Sequence, residues 1–121
     1  MTGPARGARG LASLQRIAGL VRDRAIARHG AAARDLRSAQ EALAVLESEA
    51  RESRMTASAA EDAVTMVVAE RHARLAEQKA AAAQARLAEL APEAEVLRQR
   101  AAGALGRTIL LARMRDDGGR G

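Results

Sequence analysis

The feature that most constrains this chain is its lack of aromatic side chains: its 121 residues include no Phe, Tyr or Trp. Aromatic residues normally supply large buried areas in a globular core. Alanine is instead the main apolar residue, with 32 copies against 13 leucines. Together with the many Glu and Arg residues, this composition favours long helices or a coiled coil over a rounded core. We therefore expect an all-α fold in a single domain.

Several classes of protein are disfavoured by the bulk composition. The absence of cysteine excludes disulfide scaffolds and thiol catalysis. No apolar run is long enough to predict a membrane span, and the uncharged apolar stretch 17–21 is too short for a secretory signal core. The first 22 residues carry arginines without acids, as transit peptides do. The heptad pattern begins inside this segment and continues past it, which favours a structural helix.

Apolar or small residues recur at steps of three and four from residue 11 to residue 50. This spacing predicts one face of a long helix that packs on a partner. One extra step of four, between Ala25 and His29, predicts a stutter beside Gly30 that locally unwinds the supercoil. The predicted positions are Leu11, Leu14, Ala18, Val21, Ala25, His29, Ala32, Leu36, Ala39, Leu43, Leu46 and Ala50.

A turn is expected near 54–58. Ser58 and Glu61 have the spacing of a capping box, which predicts that the second helix starts near Ala59. No Gly or Pro marks the turn, so an unbroken helix through 51–62 is the alternative.

The second helix is expected to carry its own apolar seam from Met66 to Ala112. Pro92 lies inside this run and lacks a backbone N–H, so it should kink or break the helix. A kink is favoured because the apolar phase is kept from Leu87 to Leu97. The seam positions near the end are expected to be Ala101, Leu105, Ile109 and Ala112.

These patterns predict an antiparallel coiled-coil hairpin over 11–116, with the second helix kinked near Pro92. Residues 1–10 contain three Gly and one Pro, and 117–121 are also Gly-rich, so both are expected to be flexible tails. A turn centred near residue 56 makes facing positions add up to roughly 112, which brings Leu14 near Leu97.

Charge is unevenly distributed along the chain, whose net charge is +5. Residues 1–37 and 93–121 carry +6 and +2, whereas 38–62 carry −4. In a hairpin the two basic segments lie side by side at the open end, where they would steer an acidic partner. The alternative is a solvated surface whose arginines reflect a GC-rich genome.

An apolar cluster near the C-terminus has no obvious partner in the expected register, because it falls opposite the Gly-rich tail. It either docks another protein or a second copy, or packs on Leu11 and Leu14 in a shifted register. With the basic open end, it gives the candidate partner-binding residues Arg16, Arg22, Arg24, Arg28, Leu105, Ile109, Leu110 and Met114.

Neither histidine suggests a metal or catalytic site. His29 lies on the expected seam and His72 in a charged stretch, too far apart in sequence for a helical metal pair. No phosphate loop and no nucleophile beside a base is present, so we expect no enzyme activity and no cofactor. A pI of about 11.3 suits nucleic-acid binding, but no aromatic residue can stack on bases, which argues against it.

The stretch formed by Leu11, Leu14, Ile17, Ala18 and Val21 resembles the first helix of the FliJ/YscO family of flagellar and type III export components. The resemblance spans about 11–115 and is one of overall residue pattern, since the family has no strict motif. Pro92 and the Gly-rich ends depart from the family.

This resemblance implies a stalk-like coiled coil that inserts into the export ATPase ring and contacts the export gate and substrate chaperones. It implies a cytoplasmic location, including the inner face of the membrane, and carries over no catalytic residue. The alternatives are a generic coiled-coil adaptor or self-assembling structural protein and, less favoured, a small basic nucleic-acid binder.

Overall fold

The computed structural model of this chain describes residues 3–120, and the side chains of 7–118. It consists of two long helices, α1 (Gly3–Ala59) and α2 (Ala63–Arg120), and the described residues form no strand. The two helices pack against each other, which confirms the predicted all-α helical hairpin.

Both helices are longer than the sequence predicted. Residues 3–10 and 117–120, expected to be flexible tails, belong to α1 and α2; residues 1, 2 and 121 lie outside the described residues. Pro4 falls in the first turn of α1, where its missing N–H removes no helical hydrogen bond. Helix α2 also continues through Pro92, so this proline does not end the helix.

The chain divides into two compact units, each of which pairs a segment of α1 with a segment of α2. Unit 1 comprises residues 1–32 and 93–121, and unit 2 comprises 33–92. All ten glycines of the chain fall in unit 1. Glycine lowers helix propensity by up to about 1 kcal/mol relative to alanine, so the helices of unit 1 are intrinsically the weaker ones.

Every buried residue among those described is an alanine: Ala50, Ala69, Ala73, Ala76, Ala101 and Ala104. Alanine extends only one methyl group from the backbone, so two helices with alanine at their contact approach closely. Leucines also occupy this contact, but those at 87, 90 and 97 are only half-buried. The packing therefore leaves many leucine, valine, isoleucine and methionine side chains exposed.

The buried and half-buried positions of α2 follow an uninterrupted heptad pattern from Ala69 onwards, with alternating steps of four and three. The predicted positions are correct from Ala69 to Ala101. Beyond that point the predicted extra steps of four are wrong, because the seam continues through Ala104, Thr108 and Leu111. Leu105 and Ile109 are consequently exposed.

Helix α1 has an equally regular seam, and the predicted stutter at Ala25 to His29 is absent. The seam reaches Ala25 through Gln15, Ala18 and Arg22 rather than through Leu14 and Val21, which are 55% and 47% exposed. A constant heptad phase keeps one face of α1 on α2 without local unwinding. Long polar side chains tolerate such positions because their aliphatic stems pack while their polar ends reach water.

The turn lies at 60–62, later than the predicted 54–58. Asp62, not Ser58, caps helix α2: its carboxylate accepts hydrogen bonds from the Thr65 backbone N–H (2.7 Å) and the Thr65 hydroxyl (2.8 Å). These hydrogen bonds hold the pKa of Asp62 below its ordinary value. The Ser58 hydroxyl donates to the Arg54 carbonyl oxygen (3.0 Å) inside α1, so the predicted capping box is not formed.

The later turn changes the register of the hairpin. In unit 1 the Gln15 side-chain amide donates to the Leu111 carbonyl oxygen (3.5 Å), and Ala25 and Leu97 line one groove. The residue numbers of these two pairs add up to 126 and 122, against the predicted sum of 112 for facing positions. The predicted proximity of Leu14 and Leu97 is wrong, and Leu14 instead lies in a groove with Leu111.

In unit 2 an ion pair joins the two helices. The Arg54 guanidinium donates two hydrogen bonds of 2.9 Å to the Glu77 carboxylate. These hydrogen bonds lower the pKa of Glu77. Both side chains are half exposed, so the pair fixes the alignment of the helices more than it stabilises them.

The cap at Asp62 is testable with two substitutions. Asp62→Ala should lower the thermal midpoint of unfolding, because two hydrogen bonds at the start of α2 are lost, whereas Asp62→Asn should stay near wild type, because Asn also caps helices. A lowered pKa means that the carboxylate stabilises fully at neutral pH and loses this contribution as the pH falls below about 4. Far-UV circular dichroism during heating, at neutral pH and at about pH 3, measures both effects. A midpoint for Asp62→Ala equal to that of wild type at neutral pH would contradict the cap.

The alanine contact is testable by overpacking. Ala73 is fully buried, so Ala73→Leu should lower the free energy of unfolding by about 1–3 kcal/mol, since the helices must separate to admit the larger side chain. Ala82→Leu is the matched control, because Ala82 is exposed in the same helix and leucine has a helix propensity close to that of alanine. Urea unfolding of both variants provides the comparison, and equal stabilities would contradict close packing at Ala73.

Candidate partner-binding surface

The phase of the α1 seam places a second stripe of residues beside it in unit 1. This stripe has the same alternation of three and four steps, so its members lie on one face of the helix. Its first three members are apolar and its last two are basic. The stripe consists of Leu14, Ile17, Val21, Arg24 and Arg28.

The apolar part of this stripe forms one wall of a groove between α1 and α2, here named the apolar groove. Leu110 and Leu111 contribute the opposite wall from α2. Leu14, Ile17 and Leu110 are each more than half exposed although they line it. The groove therefore presents aliphatic surface to solvent, which is typical of an interaction site.

The basic part of the stripe lines a neighbouring groove, here named the arginine groove. Two arginines come from each helix, and the aliphatic floor includes Leu97. No acidic residue lines either groove, and none of these arginines forms an ion pair within 7–118. The four are Arg24, Arg28, Arg100 and Arg107.

The two grooves are continuous, because Val21, Ala104 and Arg107 line both. Ala104 is almost fully buried at their junction, where its small side chain lets the two helices approach closely. The combined surface changes from aliphatic to basic along its length. Such a surface can bury apolar groups at one end and bind anionic groups at the other.

Two acidic residues near the arginine groove pair with other arginines. Asp23 pairs with Arg22 (3.0 Å), and Glu95 pairs with Arg98 (2.7 Å). The Arg98 hydrogen bonds hold the pKa of Glu95 below its ordinary value. The arginine groove thus lacks internal counter-charges, although carboxylates lie close by in sequence.

Unit 1 is strongly basic as a whole. It contains twelve basic and five acidic residues, a net charge of +7, whereas unit 2 has eight basic and ten acidic residues, a net charge of −2. This imbalance creates a positive potential around unit 1 that attracts acidic partners and is screened by salt.

The structure distributes the predicted partner-binding residues over several places. Arg24 and Arg28 line the arginine groove, and Leu110 lines the apolar groove. Arg22 lies in the seam with a side chain 34% exposed. The remaining four are exposed but line neither groove: Arg16, Leu105, Ile109 and Met114.

Sequence reasoning missed several groove residues. It placed Leu14 and Val21 inside the seam, and it did not count Ile17, Arg100 or Arg107 among the partner-binding residues. A seam drawn through Ala25 and Ala18 and continued back by seven residues to Leu11 would have displaced Leu14 and Val21 to its edge. The expected register also separated Arg24 and Arg28 from the α2 arginines that share their groove.

Other features of the described residues offer no chemistry of this kind. No group of three or more His, Asp or Glu side chains between 7 and 118 has the arrangement of a metal site. His29 is a half-buried seam residue, and its Nδ1 has no hydrogen-bond partner. His72 is exposed, and it borders a shallow groove in unit 2 with Val68. Neither α1 nor α2, over its described length, is apolar enough to cross a lipid bilayer.

Comparison with known proteins found no match. No protein-family model matches this chain. No curated protein matches it. No solved structure matches it.

Proposed function

We propose that this chain is a coiled-coil component of a flagellar or type III protein export apparatus, in which unit 1 binds and stimulates the export ATPase. The observation that carries this proposal is the arginine groove joined to the apolar groove. Four arginines that form no ion pair with the described side chains, beside exposed aliphatic residues, are suited to a protein contact.

Two further features support the proposal. The residues of α1 from Leu11 to Val21 resemble the first helix of FliJ/YscO proteins, which act as stalks through protein contacts. Helices of 57 and 58 residues are also long enough for a stalk-like subunit, since α-helices rise about 1.5 Å per residue.

The same resemblance suggests the remaining partners. We expect contacts with the export gate and with substrate chaperones, in the cytoplasm or at the inner face of the membrane. The seam residues face the partner helix, so these contacts would use the outer faces of α1 and α2.

A generic coiled-coil adaptor or a self-assembling structural protein is the second candidate, and an apolar patch in unit 2 favours it. Met55 and Val64 are about three-quarters exposed, and Val64 and Val68 line a groove with Thr56. Apolar side chains exposed in this way also occur where helical subunits bind each other.

The proposed function is testable with the export ATPase encoded in the same genome. Adding the full-length chain should raise the rate of ATP hydrolysis. The double variant Arg24→Gln/Arg100→Gln should bring the rate back towards that of the ATPase alone, because one charge is lost from each wall of the arginine groove. A coupled phosphate-release assay measures these rates.

The matched control is Arg34→Gln/Arg71→Gln, which removes the same charge from exposed positions of unit 2 that form no ion pair in the described residues. This control should stimulate like wild type. If the folded wild-type chain leaves the hydrolysis rate unchanged, the export-ATPase proposal is wrong and the adaptor candidate replaces it.

A further inference from the structure

The continuous surface of unit 1 has the dimensions of a helix-binding site. Its stripe on α1 runs from Leu14 to Arg28, which is about 21 Å or four helical turns. The opposite wall comes from α2, so the surface is a valley between two nearly aligned helices. A third helix that lies in such a valley contacts both neighbours along its length.

The charges of the surface specify the occupant further. Arg24, Arg28, Arg100 and Arg107 concentrate positive charge without any acidic residue in the grooves. The repulsion between like charges held close together destabilises the free protein, and an anionic partner reduces this repulsion. Arginine binds carboxylates through two parallel hydrogen bonds, so glutamate or aspartate side chains would be bound with defined geometry.

The apolar groove favours a protein helix over a nucleic acid as the partner of this surface. Leu14, Ile17 and Leu110 offer no aromatic ring on which a base could stack. A phosphate backbone that followed the arginines would continue over these aliphatic side chains and gain nothing there. An amphipathic helix fits both ends, because its leucines would be buried in the apolar groove and its carboxylates would pair with the arginines.

We propose that unit 1 binds one amphipathic helix of about four turns, with apolar side chains at one end of its contact face and acidic side chains at the other. The inference rests on the proposed function only in taking unit 1 as the contact surface, and it names the chemistry of the partner. The helix would be a segment of another protein, added as a third helix to the hairpin.

A synthetic peptide tests this binding without the export ATPase. The probe is a fluorescent, helix-stabilised peptide of about 15 residues, with leucines at i, i+3, i+4 and i+7 followed on the same face by glutamates at i+11 and i+14. Fluorescence anisotropy should show saturable binding to the full-length chain in about 0.1 M salt. Arg100→Gln/Arg107→Gln should weaken binding about tenfold or more.

Two kinds of control separate the groove from net charge. Arg9→Gln/Arg113→Gln removes the same charge from unit 1 at exposed positions outside both grooves, and should change affinity by less than about threefold. A scrambled peptide of identical composition, without the amphipathic spacing, should bind at least about tenfold more weakly. The substitution Leu14→Gln should weaken binding of the designed peptide and have little effect on binding of the scrambled peptide.

Four outcomes would overturn the inference. The first is that the designed peptide does not bind, and the second is that the scrambled peptide binds equally well. The third is that a DNA duplex binds more tightly than the peptide and that its binding depends on the same arginines. The fourth is that the wild-type chain is a dimer and that Leu14→Gln makes it dissociate. The last two would assign the surface to nucleic acid and to a second copy of the chain. Peptide binding without ATPase stimulation would support the docking site and refute only the proposed function.

Discussion

The close contact of α1 with α2 through alanine governs the rest of this structure. Ala73, Ala101 and Ala104 are buried because a single methyl group fits between two helices that approach closely. The leucines that share the contact, such as Leu87 and Leu97, are only half-buried. Leucine, valine and isoleucine residues beside it remain exposed and form the walls of grooves. The alanine contact between α1 and α2 thus both holds the hairpin together and leaves the side chains that line the grooves exposed.

The helical hairpin could be predicted from the sequence, because composition and heptad spacing both report on helix packing. The seam positions of α2 from Ala69 to Ala101 were also predictable. The heptad phase of α1 before Ala25 could not be predicted. Hydrophobicity selects Leu14 and Val21 as seam positions, whereas a constant heptad selects Gln15 and Arg22. In a core made of leucine the two criteria agree, but in an alanine contact they diverge.

The turn illustrates a second limit of sequence reasoning. Ser58 and Asp62 are both good capping residues, and no glycine or proline decides between them. The structure uses Asp62, whose carboxylate binds both the N–H and the hydroxyl of Thr65. This shift moves the facing register by about ten positions, which brings Leu110 and Leu111 opposite Leu14. The candidate surface could not be assembled from the sequence, because its two walls meet only in the true register.

Gln15 and Arg22 lie in the seam of α1, and Leu14 and Val21 lie outside it. The chain contains no cysteine, so single cysteines can be placed at each of these four positions and their reaction rates with a soluble maleimide compared in the folded protein. We expect cysteines at 14 and 21 to react several times faster than those at 15 and 22, with equal rates in denaturant. Faster reaction at 15 and 22 would contradict this seam and would restore the stutter in α1.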